Sequence, residues 1–509
     1  MPAILSKAER SFLSAVSHLV YGNPFLPEWV ESERRALGDD FEEGGQVWSI
    51  PVEDPERPRA NLWKIVERLE PICVRVAQQL ASGTAASAHE ADLTLYEDAC
   101  LHVLYHRYYS RFLQASFGAT AENSAGRWRF YREFRADWDG FFSIPGVQLP
   151  GGHEPAHTFA CFRQIQCAFD QTYRDIIGNS LPAARLRAAV WQSIFTHDMR
   201  RYRRTLYARM REFATLITGP SGTGKELVAR AIANSGYVPF DERRMAFADE
   251  GASLFFPINI SALPSTLVES ELFGHRRGAF TGAVGDRKGW LETCSPLGSV
   301  FLDELGDLDP AIQVKLLRVI ETRTFHAVGD TGSRPFQGKL IAATNRDLHE
   351  EMHRGRFRED LYYRLCSDQI VTPPLAEQLR DSPRVLPELL LYMARRVVGA
   401  EAPKLAAEVG AWIEEHLPKD YPWPGNYREL EQCVKNVLIR RDYRPWVPPS
   451  AGAPDDPTSG SPTADEMLSR YCTMVYHQTG SYEETARRLQ LDRRTVKRKV
   501  DPELLKRLE

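Results

Sequence analysis

Gly219-Pro220-Ser221-Gly222-Thr223-Gly224-Lys225-Glu226 decides the fold of this 509-residue chain, because of what flanks it. Ala214-Thr215-Leu216-Ile217-Thr218 before it is a short, apolar, β-prone run, and Leu227 to Asn234 after it reads as helix. Strand, glycine-rich loop and helix, in that order, are the context a phosphate-cradling loop requires. The glycines let backbone N–H groups curl around phosphate oxygens, and the helix turns its positive end toward them. Lys225 then places a point charge on the β- and γ-phosphates. One position departs from the general pattern. Glu226 stands where Ser or Thr usually reaches magnesium, which leaves Thr223, water or an acidic strand elsewhere to make that contact.

Working outward, Gly298-Ser299-Val300-Phe301-Leu302-Asp303-Glu304 supplies that acidic strand. Small and apolar residues followed by two carboxylates describe a buried parallel strand whose end opens into a ligand crevice. Asp303 is expected to hold magnesium through water, and Glu304 to polarise the water that attacks the γ-phosphate. Lys339 to Ala343 reads as another strand, ending in Thr344-Asn345, polar groups placed to sense the γ-phosphate. Phe255 to Ile260 carries Asn259, which could hold Glu304 idle until the nucleotide changes. Arg358 and Arg364 stand six apart, too far for one helix face, and so reach different points; an arginine supplied across a subunit boundary adds ~10³ or more to phosphoryl transfer. Arg428, in Trp423 to Leu430, begins a helix able to close on the nucleotide as a lid.

One stretch is not explained by phosphate chemistry. Gly274-His275-Arg276-Arg277-Gly278-Ala279-Phe280-Thr281-Gly282-Ala283 is too rich in glycine to continue a helix, since each interior glycine costs roughly 1 kcal/mol relative to alanine. It presents Phe280 and Thr281 at its tip and reads as a loop built to move.

Residues from about 174 to 441, half of the chain, resemble the AAA+ domain of the sigma-54-dependent transcriptional activators of bacteria. The likeness is carried by Ile176 to Ser180, Gly219 to Leu227, Glu271 to Ala283, Phe301 to Leu308, Ala342 to Leu348, Phe357 to Leu365 and Trp423 to Leu430. It implies ATP and Mg2+ as cofactors. Ile177 and Gly178 would border the adenine; Gly219, Ser221, Gly222, Thr223, Gly224, Lys225, Glu226 and Leu227 would form the Walker A site. Asp303 and Glu304 would be the Walker B pair, with Asp303 the magnesium residue. Asn259 would be the glutamate-switch partner and Asn345 would lie in sensor I. Arg358 and Arg364 would be trans arginine fingers, and Arg428 the sensor II arginine. Glu after the Walker A lysine is common in this family. The resemblance assigns Gly278, Ala279, Phe280, Thr281, Gly282 and Ala283 to contact with sigma-54, and so implies the sigma-54 RNA polymerase holoenzyme as partner and a dimer-to-hexamer ring. Three departures stand out. Gly178 and Gly219 lie farther apart than is usual, with Arg200-Arg201-Tyr202-Arg203-Arg204 in the excess. A second extension spans Asp241 to Ser253, and Pro373 to Gln378 lacks an arginine pair.

At the C-terminal end, Ala464 to Gln478, Gly480 to Leu489 and Arg493 to Val500 read as three helices, the last capped by Asp492. The short turn between the last two is that of a helix-turn-helix. Leu489, Leu491, Val496 and Val500 supply a buried face, which leaves Arg493, Arg494, Lys497 and Arg498 for phosphates and base edges. This end resembles the Fis-type DNA-binding domain, which implies double-stranded DNA, an upstream activating site, as a partner.

The expected architecture is multidomain. Residues 1–172 form a mainly helical regulatory domain, 173–445 an α/β AAA+ ATPase with a phosphate loop, a parallel sheet and a helical lid from about 376 to 445, 446–463 a flexible linker, and 464–509 the all-α helix-turn-helix. The signal received by 1–172 is not written in any motif. His153-Glu154-Pro155-Ala156-His157 fits the zinc pattern HExxH, but Gly151, Gly152 and Pro155 favour a polar loop. His102 and His106, spaced i, i+4 among apolar residues, read as packing. A net charge of −4 excludes a globally basic nucleic-acid binder, so DNA contact has to be local. Eight cysteines with no CxxC pair read as reduced thiols. No stretch approaches ~18 consecutive apolar residues and no leader is evident, so a soluble protein of the bacterial cytoplasm, off the membrane, is expected.

Overall fold

The run before the glycine loop is a strand, Thr215–Thr218 (β1), flanked in the sheet by strands from much later in the chain. Phe255–Asn259 (β2), Ser299–Asp303 (β3), Lys339–Thr344 (β4) and Gln369–Val371 (β5) lie parallel to it in the order β5-β1-β4-β3-β2. The computed structural model describes residues 4–43, 60–83, 89–117, 126–152, 154–248, 253–445, 464–501 and 505. A parallel sheet must be covered on both faces. Leu216, Val300, Leu302, Leu340 and Ala342 pack on one side with Leu316, Val319, Leu361 and Leu365. Ile217, Phe301, Ile341, Ala343 and Ile370 pack on the other with Val190, Trp191, Val228 and Ile232. Because all five strands run the same way, the residues after β1, β3 and β4 emerge at one edge.

The helix after the glycine loop starts at Lys225 itself and runs to Asn234. The expected lid is four helices, Leu375–Asp381, Val385–Val398, Ala402–His416 and Asn426–Arg440.

The N-terminal region is helical, as its periodicity predicts: Lys7–Tyr21, Pro27–Leu37, Ala60–Ala81, Glu90–Phe117, Tyr131–Phe142 and Pro155–Asp175. Phe112, Phe134 and Phe159 are fully buried at its centre. It does not stand apart from the region of the sheet. Residues 1–442 form one compact unit, and the helix Pro155–Asp175 runs through the expected boundary at 172 to pack on Lys225–Asn234.

Both extensions join that packing. Phe240–Asp241 and Ala246–Phe247 form a small antiparallel hairpin, and the part of the extension at 249–252 lies outside the described residues. Phe240 and Phe247 sit in the aromatic cluster of the helical region, 4.8 Å from Phe159 and 4.7 Å from Trp128 between ring centroids. The Arg163 guanidinium lies 4.2 Å over the Phe247 ring. In the other extension, Arg200 forms an ion pair with buried Asp98, whose carboxylate also accepts from Ser17 and Tyr21 at 2.7 Å.

His157 lies inside a helix, which corrects the polar-loop reading, because Pro155 needs no N–H partner in a first turn and initiates the helix. Its ring nitrogens are occupied by Tyr237 OH and Arg203 O, each at 2.8 Å; His153 lies outside the described residues. His102 is buried with its ring 4.4 Å from that of His106, and among the described residues no group of His, Cys, Asp and Glu could hold a metal. All eight cysteines are free. No described helix is long and apolar enough to cross a membrane.

The second unit, 443–509, contains the three expected helices, Ala464–Thr479, Tyr482–Leu489 and Arg493–Lys499, around Cys472, Ala486, Val496 and Val500. The linker at 446–463 lies outside the described residues. Gln490 takes left-handed backbone to close the second helix, and Asp492 accepts from Arg494 N at 2.7 Å to open the third.

Candidate functional site

The glycine loop is shaped by close approach. Gly219, Gly222 and Gly224 all have positive φ, at 144°, 77° and 88°. A Cβ on Gly219 would stand 2.2 Å from Thr372 Oγ1, and one on Gly222 would stand 2.3 Å from Gly425 O. These two glycines therefore admit Thr372, the residue after β5, and the backbone of the lid. Lys225 is only 7% exposed, and its ammonium donates to Gly219 O at 2.9 Å and Pro220 O at 3.1 Å. Burial lowers its pKa, opposed by the carboxylates of Glu304 and Asp303. Thr223 is turned away from a metal role, its hydroxyl donating to Pro220 O at 2.8 Å and lying 2.6 Å from Thr372 Oγ1.

The carboxylate pair ends β3. Burial raises the pKa of Asp303, against the hydrogen bond it accepts from Glu304 N at 3.0 Å and the charge of Lys225. Glu304 has a φ of 56°, a left-handed conformation that L residues rarely adopt, and it turns the chain at once into Leu305–Asp307. Asn259 is in register with Asp303 across β2 and β3. Its side-chain oxygen accepts from Ser261 Oγ at 2.8 Å and Ala262 N at 3.2 Å, so it caps the following turn and forms no hydrogen bond to Glu304. Asn345 is exposed at the end of β4, the strand between β1 and β3, and so stands between the loop and the carboxylates.

The lid closes directly on the glycine loop. Arg428 donates to Ser221 Oγ at 3.3 Å, Asn426 Nδ2 to Ser221 O at 2.9 Å, and Tyr427 N to Gly222 O at 3.0 Å. Asn426 Oδ1 also accepts from Leu375 N at 2.8 Å. Gly178 is buried with φ 124°, and its carbonyl accepts from the buried guanidinium of Arg187; Ile177 beside it is half-buried. Glu226 pairs with Arg230 one turn on, and Leu227 is partly exposed.

Arg358 and Arg364 lie at opposite ends of the helix Glu359–Leu365, Arg358 as its N-cap. Arg358 pairs with Asp360 at 2.7 Å and Arg364 with Glu321 at 3.0 Å, and both are largely exposed. Among the described residues, neither pairs with Asp303 or Glu304 of its own chain. Sequence reasoning missed Thr372, Asn426 and Gln313, since each acts through residues far along the chain.

The mobile-looking stretch is the tip of a hairpin. Gly274–His275 pairs antiparallel with Arg287–Lys288, and Gly274 is required there because a Cβ would stand 2.6 Å from Arg287 O. Gly278 and Gly282 have φ of 81° and 104° with open space around them. Gly278 N donates to Ala283 O at 2.9 Å, which closes the tip; Ala283 is buried and Ala279 packs on Gly329. Phe280 is 38% exposed, its ring centroid 4.9 Å from that of His275 in an edge-on arrangement, and Thr281 is exposed. Arg276 fastens the base by ion pairs to Asp286 at 2.6 Å and Asp330 at 3.1 Å.

Residues 195–371, which contain the whole sheet, the carboxylate pair, both arginines and this hairpin, match the sigma-54 interaction domain family. This segment is a sigma-54 interaction domain. Domains of this family are AAA+ ATPase modules, and the five-stranded parallel sheet with its glycine loop fits that framework. The chain is 42% identical over 224 residues to the Nif-specific regulatory protein of Klebsiella pneumoniae, covering 44% of this chain and 39% of that protein. It is 41% identical over 238 residues to the luminescence regulatory protein LuxO of Vibrio campbellii, 47% and 48% of the two chains. Over 306 residues it is 37% identical to the C4-dicarboxylate transport transcriptional regulatory protein DctD of Rhizobium meliloti, 59% and 61%. The chain thus spans between two fifths and three fifths of the length of these relatives. The lid with Arg428 lies outside the matched sigma-54 interaction domain but packs on it, and Ile177 with Gly178 also lies outside it, Gly178 against Gln378 and Val385 of the lid.

Proposed function

We propose that this chain is an ATP-dependent transcriptional activator. It binds upstream DNA through Arg493, Arg494, Lys497 and Arg498, assembles into a ring, and uses ATP hydrolysis to remodel the sigma-54 RNA polymerase closed complex through residues 278–283. The observation that carries this reading is the convergence of Lys225, Asp303 and Glu304 on one sheet edge under a lid latched by Arg428, in the domain that bears the Phe280-Thr281 hairpin. Hard oxygen donors suit magnesium, and the Asp303 carboxylate beside Lys225 is the group available to hold it. Glu304, aimed by its left-handed backbone, orients the attacking water. Exposed Arg358 and Arg364 are free to reach a neighbouring subunit's phosphates once released from Asp360 and Glu321.

Control by the N-terminal region follows from its packing. Phe240 and Phe247, inserted between the phosphate-loop helix and the β2 strand of Asn259, are seated among Trp128, Tyr131 and Phe159. A signal that repacks this aromatic cluster pulls on the segment leading into β2. The test is ATP turnover of the full chain against protein concentration. Turnover per subunit is expected to rise with concentration as the ring assembles, and absence of turnover at any concentration would sink the proposal.

A further inference from the structure

Gln313 lies on the helix Pro310–Thr322, between the carboxylate pair and the two arginines in sequence, and is 0% exposed. Burying a primary amide is costly unless each of its groups is paired. Here the whole amide is spent on backbone. Nε2 donates to Leu308 O at 2.8 Å and to Arg356 O at 2.9 Å, and Oε1 accepts from Arg358 N at 2.9 Å.

Those partners belong to two separate pieces of chain. Leu308 ends the turn Leu305–Asp307 that follows Glu304, whereas Arg356 and Arg358 lead into Glu359–Leu365. The first piece is fixed to the sheet edge, since a Cβ on Gly306 would stand 2.9 Å from Thr344 Oγ1 and from Arg346 Cδ. The second is held by Glu351, which accepts two 2.6 Å bonds from the Arg356 guanidinium. One side chain therefore bridges the strand end bearing Asp303 and Glu304 to the backbone from which Arg358 projects. Among the described residues, the Arg358 side chain itself is anchored only to Asp360, two residues away on the same piece, so its aim is set by that backbone.

We propose that Gln313 is a positioning residue for the arginine finger, holding Arg358 at a place set by the turn after Glu304. The state of one subunit's carboxylates then governs the finger offered to the next subunit's nucleotide. This rests on the reading of Arg358 as a finger acting in trans. Misplacing a reacting group by about 1 Å costs on the order of 10²-fold in rate, enough to be read directly.

The experiment is subunit mixing in the full chain. Gln313→Met keeps the length of the side chain and removes all three hydrogen bonds; Gln313→Glu keeps the acceptor alone. The expected result for Gln313→Met by itself is a kcat for ATP lowered on the order of 10²-fold with KM and binding of a fluorescent ATP analogue unchanged. Gln313→Glu falls between it and the parent. Mixed with Lys225→Ala, whose own site is dead but whose arginines are intact, Gln313→Met is expected to recover turnover, because its sound sites receive Arg358 from the neighbour. Arg358→Ala mixed with Lys225→Ala is the reference. Recovery in the reference without recovery for Gln313→Met overturns the role of Gln313 alone. No recovery in either mixture overturns the trans finger on which it rests. Loss of analogue binding in both Gln313 variants also overturns it, by showing that the residue serves its own subunit's site.

Discussion

At the scale of single residues, charge and burial decide what the site can do. Lys225 is buried, yet its ammonium is held toward the loop carbonyls and beside Asp303 and Glu304. Lys225→Ala is expected to lower ATP turnover by on the order of 10²-fold or more, as loss of a single preorganised donor does elsewhere, read by phosphate release. A second titratable residue reports on the helical region. Burial pushes the Glu97 carboxyl from 4.5 up to about 7, with Asp98 adding to the rise and Arg203 and Arg200 opposing it. Between those values the folded chain holds a proton that the unfolded chain has lost, so stability falls as pH rises through that window. The loss is at most roughly 3 kcal/mol. The melting temperature of the parent is expected to drop between pH 5 and 7.5, and Glu97→Gln, which can still accept from Gly151 N, is expected to flatten that dependence.

At the scale of elements, the hairpin Phe240–Phe247 and the last helix carry the two most specific expectations. Phe247 is buried against Trp128 and Phe159 and covered by Arg163. Phe247→Ala is expected to destabilise the 1–442 unit by about 3 kcal/mol in urea unfolding. It is also expected to change the ATP turnover of the chain that remains folded, since the hairpin leads into β2. Unchanged turnover would show that the hairpin holds the two regions together without coupling them. In the last helix, Val496 is buried while Arg493, Arg494, Lys497 and Arg498 face solvent, Arg493 pairing with Glu483 at 2.9 Å. Lys497→Ala is expected to weaken binding to duplex DNA of any sequence and to lower the slope of log K against log salt by about 0.9. A slope that does not move would place that lysine off the phosphates.

At the scale of the whole molecule, the legible parts were those whose chemistry is local. The loop from Gly219 to Lys225, the strand ending in Asp303 and the glycines at 278 and 282 each need particular residue types within a few positions, and pattern alone reveals them. The sheet order and the lid latch were not legible, because Thr372 and Asn426 meet the loop from 149 and 205 residues away. The seating of Phe240 and Phe247 was equally hidden, since an apolar residue in an extension does not say which core it enters. Asn259 shows the limit from the other side. Its type and strand position suit a partner for Glu304, but its oxygen caps the next turn instead.

In the proposed function, ATP chemistry at Lys225, Asp303 and Glu304 drives the Phe280-Thr281 hairpin against sigma-54. Gly278 and Gly282 have open space around them and Thr281 is exposed, so Thr281 can be changed without altering Lys225, Asp303 or Glu304. The most direct measurement is open-complex formation by sigma-54 RNA polymerase with Thr281→Ala, beside its ATP turnover. Turnover is expected within about twofold of the parent and open complexes lowered by on the order of 10²-fold, the loss of about 3 kcal/mol of coupling. Open-complex formation at the parental level would contradict it.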